Sequence, residues 1–585
     1  MSALSASIAD LKHNPQQWQA FTSQGHCVVL APPGSGKTKL LATRLAYDLI
    51  NKIPKPQGAT CITLTNAAAD ELRRRVESLG VESRSNLFVG TVHGFALGKI
   101  IAPFAEVVGR EDLVNISIAS ENQCRSLLKD AIAEVFGNDN KKHVDSTIKI
   151  NRERLAGDED WARHSDKVRE ACLRYEAKLH ERGLRDFTQL VTAAVEIVEK
   201  HEPIRRVLTA QYPHIYVDEY QDLAPGLDRL VKALCFDQVV NAELFAVGDP
   251  DQALYEWMGA RPDLLHKLAQ YPGVTRVELE HNYRCGEAII QAGNLMRTSR
   301  RPIVGSRAGG QVSAVHCPGS SKEQYRHLVA YVRETIGRGV PLHEIAVLAT
   351  IRDQCEAVTA LLRDSGIPVF FRSPEYRLTV VTGFIEAAAA WATLGRETSN
   401  YRLVDLLQRW RTIFGRSWSR RDNVALTELL MNLRDHSAQP AASFVESLME
   451  RGLKRALAQM EMADDAVEVE RMRVALATGG LRGVSIVELA ERARKVDRVE
   501  VTTMTSSKGL EFDVVLLVGA NEGNIPSYHS GSDSAKIAED GRKFYVSITR
   551  AREEVRIFYY DFVVTQYDTI KPAAPSRFLR EIGLI

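Results

Sequence analysis

One segment constrains this chain more than any other: Ala31-Pro32-Pro33-Gly34-Ser35-Gly36-Lys37-Thr38 stands between the apolar run CVVLA and the amphipathic stretch TKLLATRLAYDLI. Strand, tight loop and helix in that order aim the free N–H groups of a helix N-terminus at an anion. In such a loop Lys37 reaches the β- and γ-phosphates of a nucleotide and the Thr38 hydroxyl holds magnesium. The strict pattern asks for glycine where Ala31 stands. A second apolar run, CITLT, leads into AAADELRRRVESL, whose alanines and leucines recur at helical spacing. The chain therefore begins a parallel α/β sheet.

The sheet is then interrupted. From about residue 99 to 184 helical segments such as QCRSLLKDAIAEVF and KVREACLRYEAKLHERG take over, and strands return with HIYVDEY and AELFAVGD. The second half repeats the plan. EIAVLAT and IPVFF start a new α/β unit, a helical stretch follows over 379–497, and VEVTTMT and VVLLVGA complete it. The periodicities predict two α/β cores, 1–98 with 185–276 and 277–378 with 498–585, each carrying a mainly helical insert. A chain of 585 residues is long enough for several such units.

Composition narrows the setting. Lys and Arg number 75 against 74 Asp and Glu, so any contact with a polyanion must come from local patches. The eight cysteines form no Cys-x-x-Cys pair and no cysteine–histidine cluster, and read as reduced core residues. The N-terminus has no signal-peptide pattern, and no run approaches about 18 apolar residues, so a soluble cytoplasmic protein without membrane contact is expected.

The second chemical element is HIYVDEYQD, in which an apolar strand delivers two adjacent carboxylates to its C-terminal end. Asp218 is assigned to magnesium, and Glu219 to the base that positions and deprotonates a water.

DEYQD resembles the form of this motif in UvrD/Rep-type superfamily 1 helicases, and the other motifs of that family follow in order. They are NPQQ from Asn14, TLTNAAADELRRR from Thr63, GTVHGFA from Gly90, VGDPDQALYEWMGA from Val247, HNYRC from His281, TSSKGLEFDVV from Thr505 and EDGRKFYVSITRAR from Glu539. The resemblance implies two RecA-like motor domains using ATP and Mg2+ to move 3′ to 5′ along single-stranded DNA and to open duplex at junctions. It makes Gln17 the adenine contact, with Lys39 and Tyr283 flanking the base and Glu511 on the ribose. It also makes Gln252 the γ-phosphate sensor, and Arg284 and Arg550 the second core's neutralising cations, arginine fingers of a kind worth about 10³ to 10⁵ in rate. Thr65, Asn66, His93 and Thr505 fall in its DNA-contacting motifs, and Tyr255 and Trp257 match its base-stacking platforms.

Three departures lie on the DNA side: Leu64 replaces a phenylalanine, Met258 an arginine and Thr505 a histidine. With inserts that look short for the family and no long C-terminal tail, they leave a second reading open, a DNA-stimulated ATPase switch or protein-displacing translocase that separates few base pairs. In the second insert Arg409-Trp410-Arg411 and Arg416-Ser417-Trp418-Ser419-Arg420-Arg421 interleave cations with tryptophans. They read as a solvated helix face over buried rings, with a nucleic-acid surface as the alternative.

Overall fold

The computed structural model describes residues 2–585 apart from 83–85, 115, 138, 140, 299–300, 372–374, 377, 400, 434–437, 460–462, 480, 493–496 and 565–568. Its first strands are β1 (His26–Leu30), β2 (Ala59–Thr63) and β3 (Leu87–Thr91). Helices then form the first insert, closed by the short parallel pair β4 (Ser117–Ile118) and β5 (Leu184–Arg185). The sheet resumes with β6 (His214–Val217), β7 (Glu243–Gly248) and β8 (Val274–Glu278). All six sheet strands run parallel in the order β3-β2-β6-β7-β1-β8.

These strands read as unbroken apolar runs because both faces are covered. Val28, Ile62, Ile215, Val217, Leu244 and Ala246 point into one core with the helices Phe187–Lys200 and Pro225–Cys235. Their neighbours Cys27, Val29, Cys61, Tyr216, Phe245 and Val247 point into the other, against the helix Lys37–Asn51. The strand order also fixes the site. β6 and β7 return from beyond the insert to lie between β2 and β1, so the carboxylates after β6 come within two strand spacings, about 10 Å, of the loop after β1.

The first insert has its own core, from Ala119 to Leu184 around Leu127, Ala131, Ile148, Cys172 and Leu179. The stretch before it, including Ile100, Ile101, Ala105 and Leu113, packs instead with the first sheet. A buried guanidinium ties insert to core. Arg152 donates through Nη1 and Nη2 to Asp186 at 2.6 and 3.1 Å, and the Tyr175 hydroxyl donates to the same carboxylate at 2.9 Å. Asp186 in turn caps the helix Phe187–Lys200.

The pair β9 (His281–Gly286) and β10 (Val304–Arg307) leads into the second sheet. Its strands are β11 (Gln311–Ser320), β12 (Ile345–Ala349), β13 (Val369–Phe370), β14 (Val499–Thr503), β15 (Phe512–Leu517), β16 (Ala551–Val564) and β17 (Ile570–Pro572). The order is β11-β16-β15-β12-β14-β13, parallel throughout, with β17 antiparallel on β16. The second insert lies between β13 and β14, a helical body around Phe384, Trp410, Phe444 and Leu448. The two-core α/β architecture with helical inserts is therefore the one the periodicities predict.

Trp410 is fully buried, stacked on Phe384 at 5.1 Å between ring centroids, with Nε1 donating to the Asp422 carbonyl oxygen at 3.0 Å. Trp418 is half-buried beneath the Arg411 guanidinium, 4.7 Å from its ring centroid. Rings under a cationic helix face is the arrangement expected of this segment; the Arg416 side chain lies outside the described set. Among the described residues no helix is long and apolar enough to cross a membrane.

Candidate nucleotide site between the cores

The loop after β1 turns on two glycines with positive φ, Gly34 at 68° and Gly36 at 80°. Both also admit close neighbours. A Cβ on Gly34 would stand 2.6 Å from Asn282 Oδ1, and one on Gly36 3.0 Å from Gln17 Nε2. Ala31, at the place of the missing first glycine, is buried and donates from its backbone to the Gly248 carbonyl oxygen at 2.8 Å, so the strand geometry continues through it. Pro32 and Pro33 follow, and Ser35 is buried with its hydroxyl donating to the Pro32 carbonyl oxygen at 2.7 Å. Gly36 then caps the helix Lys37–Asn51, at whose first turn Lys37 and Thr38 stand.

β6 ends at Val217 because the next two residues turn away: Glu219 has φ 53°, a left-handed conformation that side chains avoid and that recurs at functional sites. This aims its carboxylate at Lys37, whose Nζ is 2.6 Å from Oε1. Gln221 holds the other side, donating to Glu219 Oε2 at 2.6 Å while its own Oε1 accepts from the Asp249 backbone at 2.9 Å. Asp249 then accepts from Gln252 Nε2 at 2.7 Å. Asp218, Glu219, Gln252 and Lys37 thus lie in one connected cluster at the C-terminal edge of the sheet.

The electrostatics divide the two carboxylates. Burial, together with the neighbouring Glu219, pushes the Asp218 carboxyl up. Glu219 is part-buried, yet Lys37 and Lys508 hold it well below the usual carboxylate range. A proton-accepting carboxylate kept ionised beside one that gains from an added cation suits a base next to a metal ligand. Among the described residues no group of three or more His, Cys, Asp or Glu could hold a metal ion. A magnesium ion keeps waters and takes phosphate oxygens, so it needs few protein ligands, and the hydroxyl of Thr38 and the carboxyl of Asp218 are of the oxygen type it takes.

Lys508 was not singled out in the sequence. It comes from the turn after β14 on the second core, its side chain only 8% exposed. Its Nζ pairs with Asp222, donates to the Gln252 carbonyl oxygen at 2.7 Å and lies 3.7 Å from Glu219 Oε2. The signal lay in two quoted motifs, the last aspartate of DEYQD and the lysine of TSSKGLEF. Arg550 arrives from the same side: fully buried, it donates to Gln252 Oε1 at 3.4 Å and to the Val546 and Leu510 carbonyl oxygens. Burial, with Arg284 close by, lowers its pKa to about 10, still a cation at neutral pH. Arg284 donates to Glu511 Oε2 at 2.9 Å and to the Thr549 carbonyl oxygen at 3.4 Å.

Around the loop, Asn14 caps the helix holding Gln17 and donates to the Tyr283 hydroxyl at 2.7 Å, and Gln17 Nε2 donates to the Ser35 carbonyl oxygen at 2.7 Å. The Tyr283 backbone donates to the Gly34 carbonyl oxygen at 2.8 Å. Lys39 pairs with Asp10 of the first helix, on the outer side of this cluster. Asn282, also missed in the sequence, is buried and crosses the cores: its Nδ2 donates to the Pro33 carbonyl oxygen at 2.9 Å, and its Oδ1 accepts from the Arg284 and Cys285 backbones. A cavity of about 750 Å³ opens behind the loop against Ala31, Pro32, Asp249 and Arg297, but Lys37 does not line it, so it is not the phosphate cradle.

The residues that the resemblance assigns to DNA follow strand ends on the same edge. Thr65 and Asn66 stand exposed after β2, with the Thr65 hydroxyl capping the next helix. His93 follows β3, its ring 5.0 Å from Phe187. Phe187, 46% exposed at a helix start, is a further aromatic on this edge that a lone phenylalanine in the sequence did not announce. Tyr255 and Trp257 follow β7. The Tyr255 ring is 5.8 Å from Lys508 Nζ, and Trp257 is 54% exposed with its Nε1 donating to the Leu254 carbonyl oxygen. Thr505 begins the turn that carries Lys508. Of the departures, Leu64 is partly buried against the first core and Met258 is exposed.

Comparison with known proteins agrees with this geometry. The profile of the UvrD/REP helicase N-terminal domain matches residues 13–272, and that of the UvrD-like helicase C-terminal domain matches residues 433–561. The chain is 25% identical to the ATP-dependent DNA helicase Rep of Escherichia coli (strain K12), an alignment covering 98% of this chain and 94% of that protein. It is 26% identical to DNA helicase II of the same organism, with 98% and 88% covered, and 24% identical to the ATP-dependent DNA helicase PcrA of Bacillus subtilis (strain 168), with 97% and 85% covered.

Proposed function

Because the chain belongs to the UvrD/Rep helicase family, we propose that it is an ATP-driven motor that moves 3′ to 5′ along single-stranded DNA and opens duplex at junctions. The observation that carries this is the shared ownership of the hydrolytic cluster. Glu219 is held between Lys37 of one core and Lys508 of the other, and Gln252 of the first core meets Arg550 of the second. A site assembled from two bodies makes hydrolysis contingent on their closure, and closure is the motor stroke.

In this reading Lys37 and the loop amides hold the β- and γ-phosphates, Glu219 takes the proton of the attacking water, and Gln252 reports the γ-phosphate to the DNA side. Arg284 and Arg550 neutralise charge on the transferring group. Magnesium, held by Thr38 and Asp218, supplies Lewis-acid stabilisation of the phosphate oxygens when bound. Gln17, Lys39, Tyr283 and Glu511 surround the nucleoside. Bases stack on Tyr255, Trp257 and Phe187 beside Thr65, Asn66, His93 and Thr505, a contact indifferent to sequence.

The test is steady-state ATP hydrolysis with and without single-stranded DNA, then with RNA and blunt duplex. Strong stimulation by single-stranded DNA is expected, and a flat response at low salt would sink the motor. A duplex with a 3′ or a 5′ tail reads polarity. Leu64 folded against the core favours the second reading, an ATPase switch with little unwinding. That reading is abandoned if the chain alone separates a tailed duplex.

A further inference from the structure

The helix Ser534–Ile548 of the second core lies along the segment Gln252–Glu256 of the first, and Arg542, Tyr545 and Val546 on one of its faces meet it. Arg542, Tyr545, Val546 and Arg550 follow one another at spacings of three, four and eight residues from the first, the repeat of a helix face continued into the next residues. At the nucleotide end Arg550 meets Gln252. In the middle Tyr545 and Val546 pack on Leu254, all three fully buried. At the far end Arg542 Nε donates to the Ala253 carbonyl oxygen at 3.0 Å, and its Nη2 pairs with Glu256.

Glu256 stands between Tyr255 and Trp257. The helix and the turn directly after it, about 12 Å over eight residues, therefore touch the γ-phosphate sensor through Arg550 and the base platform through Arg542. Arg542 is 15% exposed and Glu256 29%, so the pair is shielded enough for charge to matter. Met258, at the other end of the same turn, offers no charge of its own.

We propose that Glu256 and Arg542 are a positioning pair that couples the base platform to the nucleotide site: when Arg550 moves toward the phosphate, the helix carries Arg542 with it, and Arg542 draws the Tyr255–Trp257 turn along through Glu256. The proposal rests on the motor reading above. A static surface ion pair predicts something different, a uniform small effect on stability or rate.

The test compares wild type, Glu256→Gln, and the charge reversal Glu256→Arg with Arg542→Glu. Each is assayed for ATP hydrolysis with and without saturating oligothymidylate, with KM for ATP and Kd for the oligonucleotide measured alongside. In Glu256→Gln the stimulation ratio is expected to fall about tenfold, the scale of pairwise coupling between contacting groups, while KM and Kd stay within about twofold. The charge reversal, which restores the ion pair but not the bond to the Ala253 carbonyl oxygen, is expected to recover part of the ratio.

An unchanged ratio in Glu256→Gln, or a loss equal with and without oligonucleotide, overturns the pair. If wild type itself is not stimulated, the motor reading fails and takes the pair with it. A stimulated wild type beside an insensitive Glu256→Gln refutes the pair alone.

Discussion

Replacing Lys508 by methionine keeps the length of the side chain and removes the one ammonium that Glu219 and Asp222 share from the second core. Asp222 is wholly buried, its side chain 0% exposed, and burial already pushes its carboxyl up despite Lys508. Taking one partner from a buried ion pair costs about 3 to 5 kcal/mol, because the other charge is left uncompensated. That cost falls on the closed arrangement alone, since an open site lets water reach Asp222. At about 1.4 kcal/mol per tenfold change, Lys508→Met is expected to lower the DNA-stimulated kcat about 10² to 4 × 10³ fold. ATP binding through the Lys37 loop persists. The same change removes one of the two cations holding Glu219 down, so its carboxylate protonates at higher pH and the acid limb of the kcat profile moves upward. The assay is ATP turnover with saturating oligothymidylate across pH, with nucleotide affinity measured separately. A kcat within about tenfold of wild type, or an acid limb that stays in place, would refute the role given to Lys508.

Other outcomes follow from the same geometry. Lys37→Ala is expected to abolish turnover with loss of nucleotide affinity, and Glu219→Gln to abolish it while ATP still binds; residual hydrolysis in Glu219→Gln contradicts its assignment as base. Arg550→Ala is expected to remove about 10³ or more of the rate with nucleotide affinity largely intact, and a selective loss of affinity makes it a binding residue instead. Asp186→Asn leaves the buried Arg152 with only the part-exposed Glu176, 2.9 Å from its Nε, as counter-charge, and is expected to cost up to about 3 kcal/mol, read as a lowered Tm of the first core and its insert. Despite burial, Arg152 holds the Asp186 carboxyl below its usual value, so the pair's contribution is present above the ordinary carboxylate range and fades as pH falls through the depressed value. The difference in Tm between the two proteins should narrow in acid, and a constant difference argues against the ion pair.

What the sequence made legible was whatever is local. β1 and β7 announce themselves as apolar runs because both sheet faces are covered, and the loop and DEYQD motifs carry their chemistry within a few residues. β16 is harder to see, because Arg552, Glu553, Glu554 and Arg556 break its apolar pattern. Their reason is tertiary: Glu554 and Arg556 satisfy Tyr331, and Glu554 also binds Arg338, on a neighbouring helix. The first insert's core begins near Ala119 rather than at the first helical signal, because the helices just after β3 are claimed by the first sheet. Lys508 escaped for the same kind of reason: its partner Asp222 is 286 residues away, and nothing near either residue tells that the two cores bring them together.

The cations of the site are not all alike, and the difference bears on how ATP is received. Lys37 and Lys508 are bound to carboxylates of the first core and Arg284 to Glu511 of its own. Incoming phosphates must compete for these three. Arg550 differs: among the described residues it has no carboxylate within ion-pair distance, only carbonyl and amide oxygens, although it is fully buried and stands near Arg284. The Arg284 charge disfavours that of the buried Arg550, and an added negative charge relieves this. The second core therefore gains from phosphate at Arg550 without first surrendering an ion pair. In the proposed motor that gain would favour the closed arrangement for as long as the γ-phosphate is present.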